Sequence, residues 1–190
     1  FFKENPYVDI IVHGEGELTF EEILLENLKD KDWDSITGIT YQTENYKFKT
    51  TPTRKRIENI DVMPSPYLDG VMDKVVEMWK DKYIFTASVE TVRGCPYRCT
   101  YCEIGSLYFQ KLRTQSFDKM HKEFEWMAKN KVEYIDNADS NFGLYKERDT
   151  KIVDLLVDLK KKHGFPIVFR NDWAKDKGID LIPIAQKLKD

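Results

Sequence analysis

Cys95, Cys99 and Cys102 lie within one stretch of eight residues and are the chain's three cysteines. An odd count in so tight a cluster argues against a disulfide framework. Neighbouring thiolates are soft ligands that suit an iron–sulfur cluster or zinc. Arg93-Gly94-Cys95-Pro96-Tyr97-Arg98-Cys99-Thr100-Tyr101-Cys102 spaces them C-x3-C-x2-C. Three cysteines on a four-iron cube leave one iron open to bind and reduce a chelating molecule, whereas a fully ligated cluster usually only passes electrons. The rival is a structural zinc site of Cys3His type, with His13 or His121 as fourth ligand. Zinc sites more often use paired C-x2-C arms, and the chain has no second arm. Unrelated core thiols are the remaining alternative, which the clustering disfavours.

The rest of the chain can build a core to carry such a loop. Of its 190 residues 41% are hydrophobic and 13% aromatic, and the charged residues are nearly balanced, 30 basic to 33 acidic. That is not the composition of a disordered segment. A net charge of −3 gives no electrostatic reason for a nucleic-acid partner. No apolar run approaches a membrane span and no signal-peptide pattern opens the chain, so no membrane partner and a cytoplasmic location are expected. The chain starts at Phe1 and stops at Asp190 inside a helical pattern, so a longer protein is expected.

Residues 7–12 read as a buried strand. The turn Gly14-Glu15-Gly16-Glu17 follows, then a helix capped by Thr19 with Glu22 closing a capping box. Phe20, Ile23, Leu24 and Leu28 share a face of that helix. Such a strand–loop–helix is the repeating element of a parallel layer. Residues 36–41 and 46–48 read as a hairpin around Gln42-Thr43-Glu44-Asn45, and Pro52, Pro64 and Pro66 mark a linker. From Tyr83 the pattern repeats. A strand over 84–92 precedes the cysteine loop. A helix capped by Ser116 then carries Phe117, Met120, Phe124 and Met127 on one face. A strand over 132–136 is followed by a helix from about Thr150 that carries Ile152, Leu155, Leu156 and Leu159 and stops at Gly164. A strand over 166–169 and a helix capped by Asp180 close the chain. Such units build a parallel sheet or barrel, whose working loops lie at the strand C-terminal ends. The cysteines, Asp139 and Arg170-Asn171 fall just beyond strand ends and are expected on one rim.

Gly94 to Cys102, including the aromatic Tyr101 before the last cysteine, resembles the signature of the radical S-adenosylmethionine superfamily. The resemblance implies a [4Fe–4S] cluster on Cys95, Cys99 and Cys102, with the amino and carboxylate groups of S-adenosylmethionine on the open iron. One-electron reduction would then release a 5′-deoxyadenosyl radical. Tyr101 would lie near the adenine, a role compatible with packing under the loop. Ala138-Asp139-Ser140-Asn141-Phe142-Gly143, followed by Arg148-Asp149, is similar to the A-D-x-N-F-G…R-D pattern of cobalamin-dependent radical enzymes. It stands where many members carry a Gly-Gly-Glu motif, which implies that Asp139 or Asn141 contacts the methionine amine. Ordinary turn and capping residues are the alternative. Arg170 or Asn171 would reach the carboxylate or ribose, a solvated strand end being the other reading, and Lys111 and Arg113 read as solvated loop. Val12 to Phe20 and Ile60 to Tyr67 resemble the end of a cobalamin-binding domain and its linker. Gly14, Glu15 and Gly16 are then expected near cobalamin, although a plain turn explains the same residues.

The expected fold is α/β: the C-terminal remnant of a doubly wound (Rossmann-like) cobalamin-binding domain with a β-hairpin over 1–49, a linker over 50–81, and the first half of a partial (β/α) radical barrel over 82–190. The expected cofactors are the [4Fe–4S] cluster and S-adenosylmethionine, with cobalamin left open for the longer protein. Methyl transfer is the expected outcome, with rearrangement or cyclisation as the variant. The partners would be a small-molecule or peptide substrate and an external flavodoxin- or ferredoxin-like electron donor. A non-catalytic zinc or iron–sulfur module, or a methylthiotransferase-type radical enzyme, are the alternatives.

Overall fold

The structure, a computed structural model, describes residues 1–43, 45, 47–102, 111–175, 178 and 180–189. It divides into two units, Phe1–Glu58 and Asn59–Asp190. In the first, β1 (Ile10–Val12), β2 (Ile39–Gln42) and β3 (Phe48–Thr50) form an antiparallel sheet in that order. Alternation along β2 turns Ile39 and Tyr41 inward, where with Ile36 they form a small core backed by Ile10, Val12, Ile23 and Trp33. The expected hairpin is therefore β2–β3, paired Thr40 to Thr50 and Gln42 to Phe48. Glu44 of its turn and Tyr46 lie outside the described residues.

Two expectations for this unit are corrected. β1 pairs with β2 antiparallel, Ile11 opposite Thr40, so the sheet here is not a parallel layer. The helix α1 (Glu17–Asn27) begins earlier than Thr19, with Gly16 as N-cap and no side-chain cap. Thr19 is fully buried and its hydroxyl has no partner among the described residues. Glu22 does not reach back to close a box, because the Arg54 guanidinium draws its carboxylate into an ion pair. Phe20 and Leu24 of α1 and Leu28 at its C-terminal end are exposed.

The expected linker contains ordered elements. Asn59 caps a short 3-10 turn at Ile60–Val62 by accepting a hydrogen bond from the Asp61 amide. The helix α2 (Val71–Trp79) then starts from Gly70, whose φ of 77° is left-handed. No capping side chain announces α2, which is why the sequence did not betray it.

In the second unit β4 (Thr86–Val89), β7 (Tyr134–Phe142) and β8 (Val168–Trp173) form a parallel sheet in the order β4-β7-β8. A ribbon of β5 (Val92–Arg93) and β6 (Arg113–Thr114) lies beside it. Between these strands run α3 (Phe117–Lys129) and α4 (Lys146–His163), and α5 (Ile182–Lys189) follows β8. Ser116 caps α3 by accepting from the Lys119 amide, and Gly164 ends α4 with a φ of 79°, both as expected. Asp180 accepts from the Ile182 amide at the start of α5. Met120, Phe124, Met127, Ile135, Ile152 and Val153 form the heart of the core. Phe117 stays exposed despite sharing their helical face. No helix is long and apolar enough to cross a membrane, among the described residues.

The strands run further than the apolar pattern. Asp139 and Asn141 lie within β7, and Arg170 and Asn171 within β8, rather than beyond strand ends. Asp, Asn and Ser are poor strand formers, but β7 is paired on both sides over Tyr134–Asn137 and that context carries the strand onward. Its register against β8 breaks after Asn137–Asn171 and resumes at Phe142–Trp173. Five steps along β7 thus match two along β8. Such an irregularity re-aims the residues inside it.

Candidate metal centre

β4 ends at Val89, and the chain then turns through Glu90 and Thr91 into β5 and the cysteine loop. The parallel neighbour β7 grips this turn. One carboxylate oxygen of Asp139 accepts the Thr91 amide at 2.6 Å and the Val92 amide at 2.7 Å. The other oxygen accepts the Thr91 hydroxyl. Thr91 is 0% and Asp139 1% exposed, so these bonds are shielded from water. The Arg148 guanidinium closes the network from α4, donating to the Thr91 carbonyl at 2.7 Å and its hydroxyl at 3.2 Å. Arg148 also pairs with Asp149 at 3.1 Å. Asp149 in turn accepts the amides of Gly143 at 2.8 Å and Tyr145 at 3.1 Å, satisfying backbone donors at the start of α4.

Burial pushes the carboxyls of Asp139 and Asp149 above the ordinary carboxylate range. The hydrogen bonds they accept pull the other way, and burial prevails. The A-D-x-N-F-G…R-D residues therefore form a buried polar frame behind the cysteine loop. Thr91, its centre, has no place among the expected site residues; a lone threonine within an expected strand carries no signal of its own.

Of the cysteines, Cys95 is buried, Cys102 intermediate and Cys99 exposed, and none is in a disulfide. The Cys102 amide donates to the Cys99 carbonyl at 3.1 Å, folding the C-x2-C segment into a turn. The Asn141 amide donates to the Cys95 sulfur at 3.3 Å. The donor set fits an iron–sulfur cluster: three free thiols on one loop, with a polar strand behind them. Among the described residues, no His, Cys, Asp or Glu side chains are gathered tightly enough to hold a metal ion. His13 bonds the Thr40 hydroxyl, and His121 lies beside the Phe117 ring.

The other expected residues divide between the faces of the sheet. Asn171 opposes Asn137, which donates to it at 2.9 Å. Asn137 belongs to the buried face. Arg170 points the opposite way, exposed, and pairs with Asp136 at 3.0 Å. Tyr101 is 83% exposed on the loop. Lys111 is exposed and Arg113 lies in β6. Gly14 is left-handed with φ 79°, and the Glu15 carboxylate accepts the Ile57 amide at 2.9 Å. Gly16 is helical at φ −91° and needs no glycine freedom.

No protein-family model matches the chain. It is 36% identical over its whole length to 2-(S-pantetheinyl)-carbapenam-3-carboxylate methyltransferase of Streptantibioticus cattleyicolor, of which it covers 28%. Against the cobalamin-dependent radical SAM methyltransferase TokK of Streptomyces tokunonensis the identity is 35%, again over the whole chain and 28% of the relative. The chain thus spans little more than a quarter of these relatives' length. Among solved structures, the cobalamin-dependent S-adenosylmethionine radical enzyme OxsB, with aqua-cobalamin and S-adenosylmethionine bound, superposes with a TM-score of 0.60 at 25% identity. That match covers 89% of this chain and 23% of OxsB.

Proposed function

We propose that this chain belongs to the radical S-adenosylmethionine superfamily, in the subgroup that contains a cobalamin-binding domain, and that it carries the initiating site of a methyltransferase. Cys95, Cys99 and Cys102 would hold a [4Fe–4S] cluster through three of its irons. When bound, that cluster supplies the electron, drawn from an external flavodoxin- or ferredoxin-like donor, that opens the sulfonium C–S bond of S-adenosylmethionine. The carrying observation is the cysteine loop rooted through Thr91 and Val92 on the buried Asp139 carboxylate.

The chain's own residues would then bind, orient and shield. Asp139, Arg148 and Asp149 fix where the loop leaves the sheet. Cys95, the buried thiol, is the loop's fixed point, and exposed Cys99 is drawn in on cluster binding. Asn141 lies at the Cys95 sulfur, and with Tyr101 and either Arg170 or Asn171, which lie on opposite faces of the sheet, it is assigned to S-adenosylmethionine. Asp139 stays in this assignment only as a group whose oxygens already serve the loop. The turn Gly14-Glu15-Gly16 is assigned to the edge of a cobalamin-binding domain of a longer protein, and the substrate to a small molecule.

Anaerobic reconstitution tests the reading. Iron and sulfide should bind with a broad brown absorption, and the reduced protein should give an EPR signal that changes on adding S-adenosylmethionine. Stoichiometric zinc with no iron uptake would sink it.

A further inference from the structure

We propose that Asn141 tunes the reduction potential of the cluster through its hydrogen bond to the Cys95 sulfur; the inference rests on the cluster assignment above. The observation is the Asn141 side-chain amide donating to Cys95 Sγ at 3.3 Å. Its aim follows from the strand. Between Asn137 and Phe142, β7 leaves register with β8, and Asn141 stands inside that irregular stretch. A regular strand would keep position 141 on the face of Asn137 and Asp139, which is buried. Two residues after Asp139, which holds the loop's root, Asn141 meets the same loop at Cys95.

Cys95 is the cysteine on which such a bond acts most strongly. It is 8% exposed, so water screens its sulfur least. A ligated thiolate carries negative charge, and the cluster gains a further negative charge when it takes up one electron. An N–H pointing at the sulfur stabilises the reduced form more than the oxidised one and raises the potential. Asn141 is thus a positioning residue for charge. It neither ligates iron nor reacts.

The test is a redox titration of the reconstituted protein without S-adenosylmethionine, followed by EPR, so that contacts to that cofactor do not contribute. Asn141→Ala should favour the oxidised cluster about tenfold, a midpoint about 59 mV lower for one electron. Asn141→Asp keeps the size but replaces the donor with a negative group and should lie lower still. Asn141→Gln keeps the donor and should recover part of the loss. Equal potentials in wild type, Ala and Asp variants would overturn the inference while leaving the cluster assignment intact. A wild type that takes up no iron would overturn the assignment itself. Pulsed EPR of the reduced wild type grown with 15N-asparagine needs no variant: a nitrogen coupling to the cluster is expected, and its absence refutes the bond.

Discussion

Asp139→Ala removes the acceptor behind the cysteine loop without touching a cysteine. Two buried donors, the Thr91 amide and hydroxyl, and one part-buried donor, the Val92 amide, lose their partner at once. A buried donor left unsatisfied costs about 1–3 kcal/mol. The space left by the carboxylate has room for about one water, which can restore part of the loss. The net destabilisation expected is about 3 kcal/mol, a fraction of the stability of an ordinary domain, so the variant should still fold. Asp139→Asn keeps an oxygen for the two backbone amides and changes only the contact with the hydroxyl, so about 1 kcal/mol is expected. Urea unfolding of the reduced, metal-free protein, read by Trp126 and Trp173 fluorescence, gives the stabilities. Iron bound per chain after reconstitution, compared at equal folded fraction, gives the effect on the loop. Asp139→Ala should bind little iron and Asp139→Asn an intermediate amount. A loss below about 1 kcal/mol for Asp139→Ala, or full iron uptake by it, would refute the claim that this carboxylate sets the loop.

The other predictions concern the loop, the turn and the pH response. Cys99 is exposed; iodoacetamide should label it rapidly in the metal-free chain and slowly after reconstitution, and equal rates would contradict ligation. Cys99→Ala should abolish cluster binding, measured as iron and sulfide content. Gly143 has a φ of 92°, and an added Cβ would run into the Leu181 side chain. Gly143→Ala should therefore cost at least about 1–2 kcal/mol, seen as a lower thermal midpoint. Burial raises the Asp139 carboxyl above its unfolded value. Its favourable contribution is then complete below the unfolded pKa, about 4, and is lost as pH rises through the folded one. The stability advantage of wild type over Asp139→Asn should shrink as pH is raised from acid toward neutrality in urea titrations, and an advantage independent of pH would refute the shift.

The elements best legible in the sequence are those whose signals are local. Ser116 before an apolar helical face and Gly164 at the end of another marked α3 and α4, because caps and 3.6-residue periodicity act within a few residues. The strand ends were misread for the opposite reason. Asn137, Asp139 and Asn141 look like loop, yet β7 runs on through them from the paired stretch Tyr134–Asn137 to the pair Phe142–Trp173. Thr19 looked like a cap, yet Arg54 claims the Glu22 that would complete the box, and no local pattern announces a partner 32 residues away. Helix α2 was hidden because a left-handed glycine, not a capping side chain, starts it.

For the site itself, the sequence alone supplied the candidate ligands. Three soft ligands at C-x3-C-x2-C spacing, and a polar motif after the next strand, depend on residue type and short separation. Only the tertiary structure decided what the polar motif does. Asp139 meets Thr91 across 48 residues and Arg148 meets it across 57, through strands and a helix whose packing sets those distances. A carboxylate's partner depends on what the fold places within three ångströms of it, and packing of the whole unit, rather than any run of neighbouring residues, makes that choice.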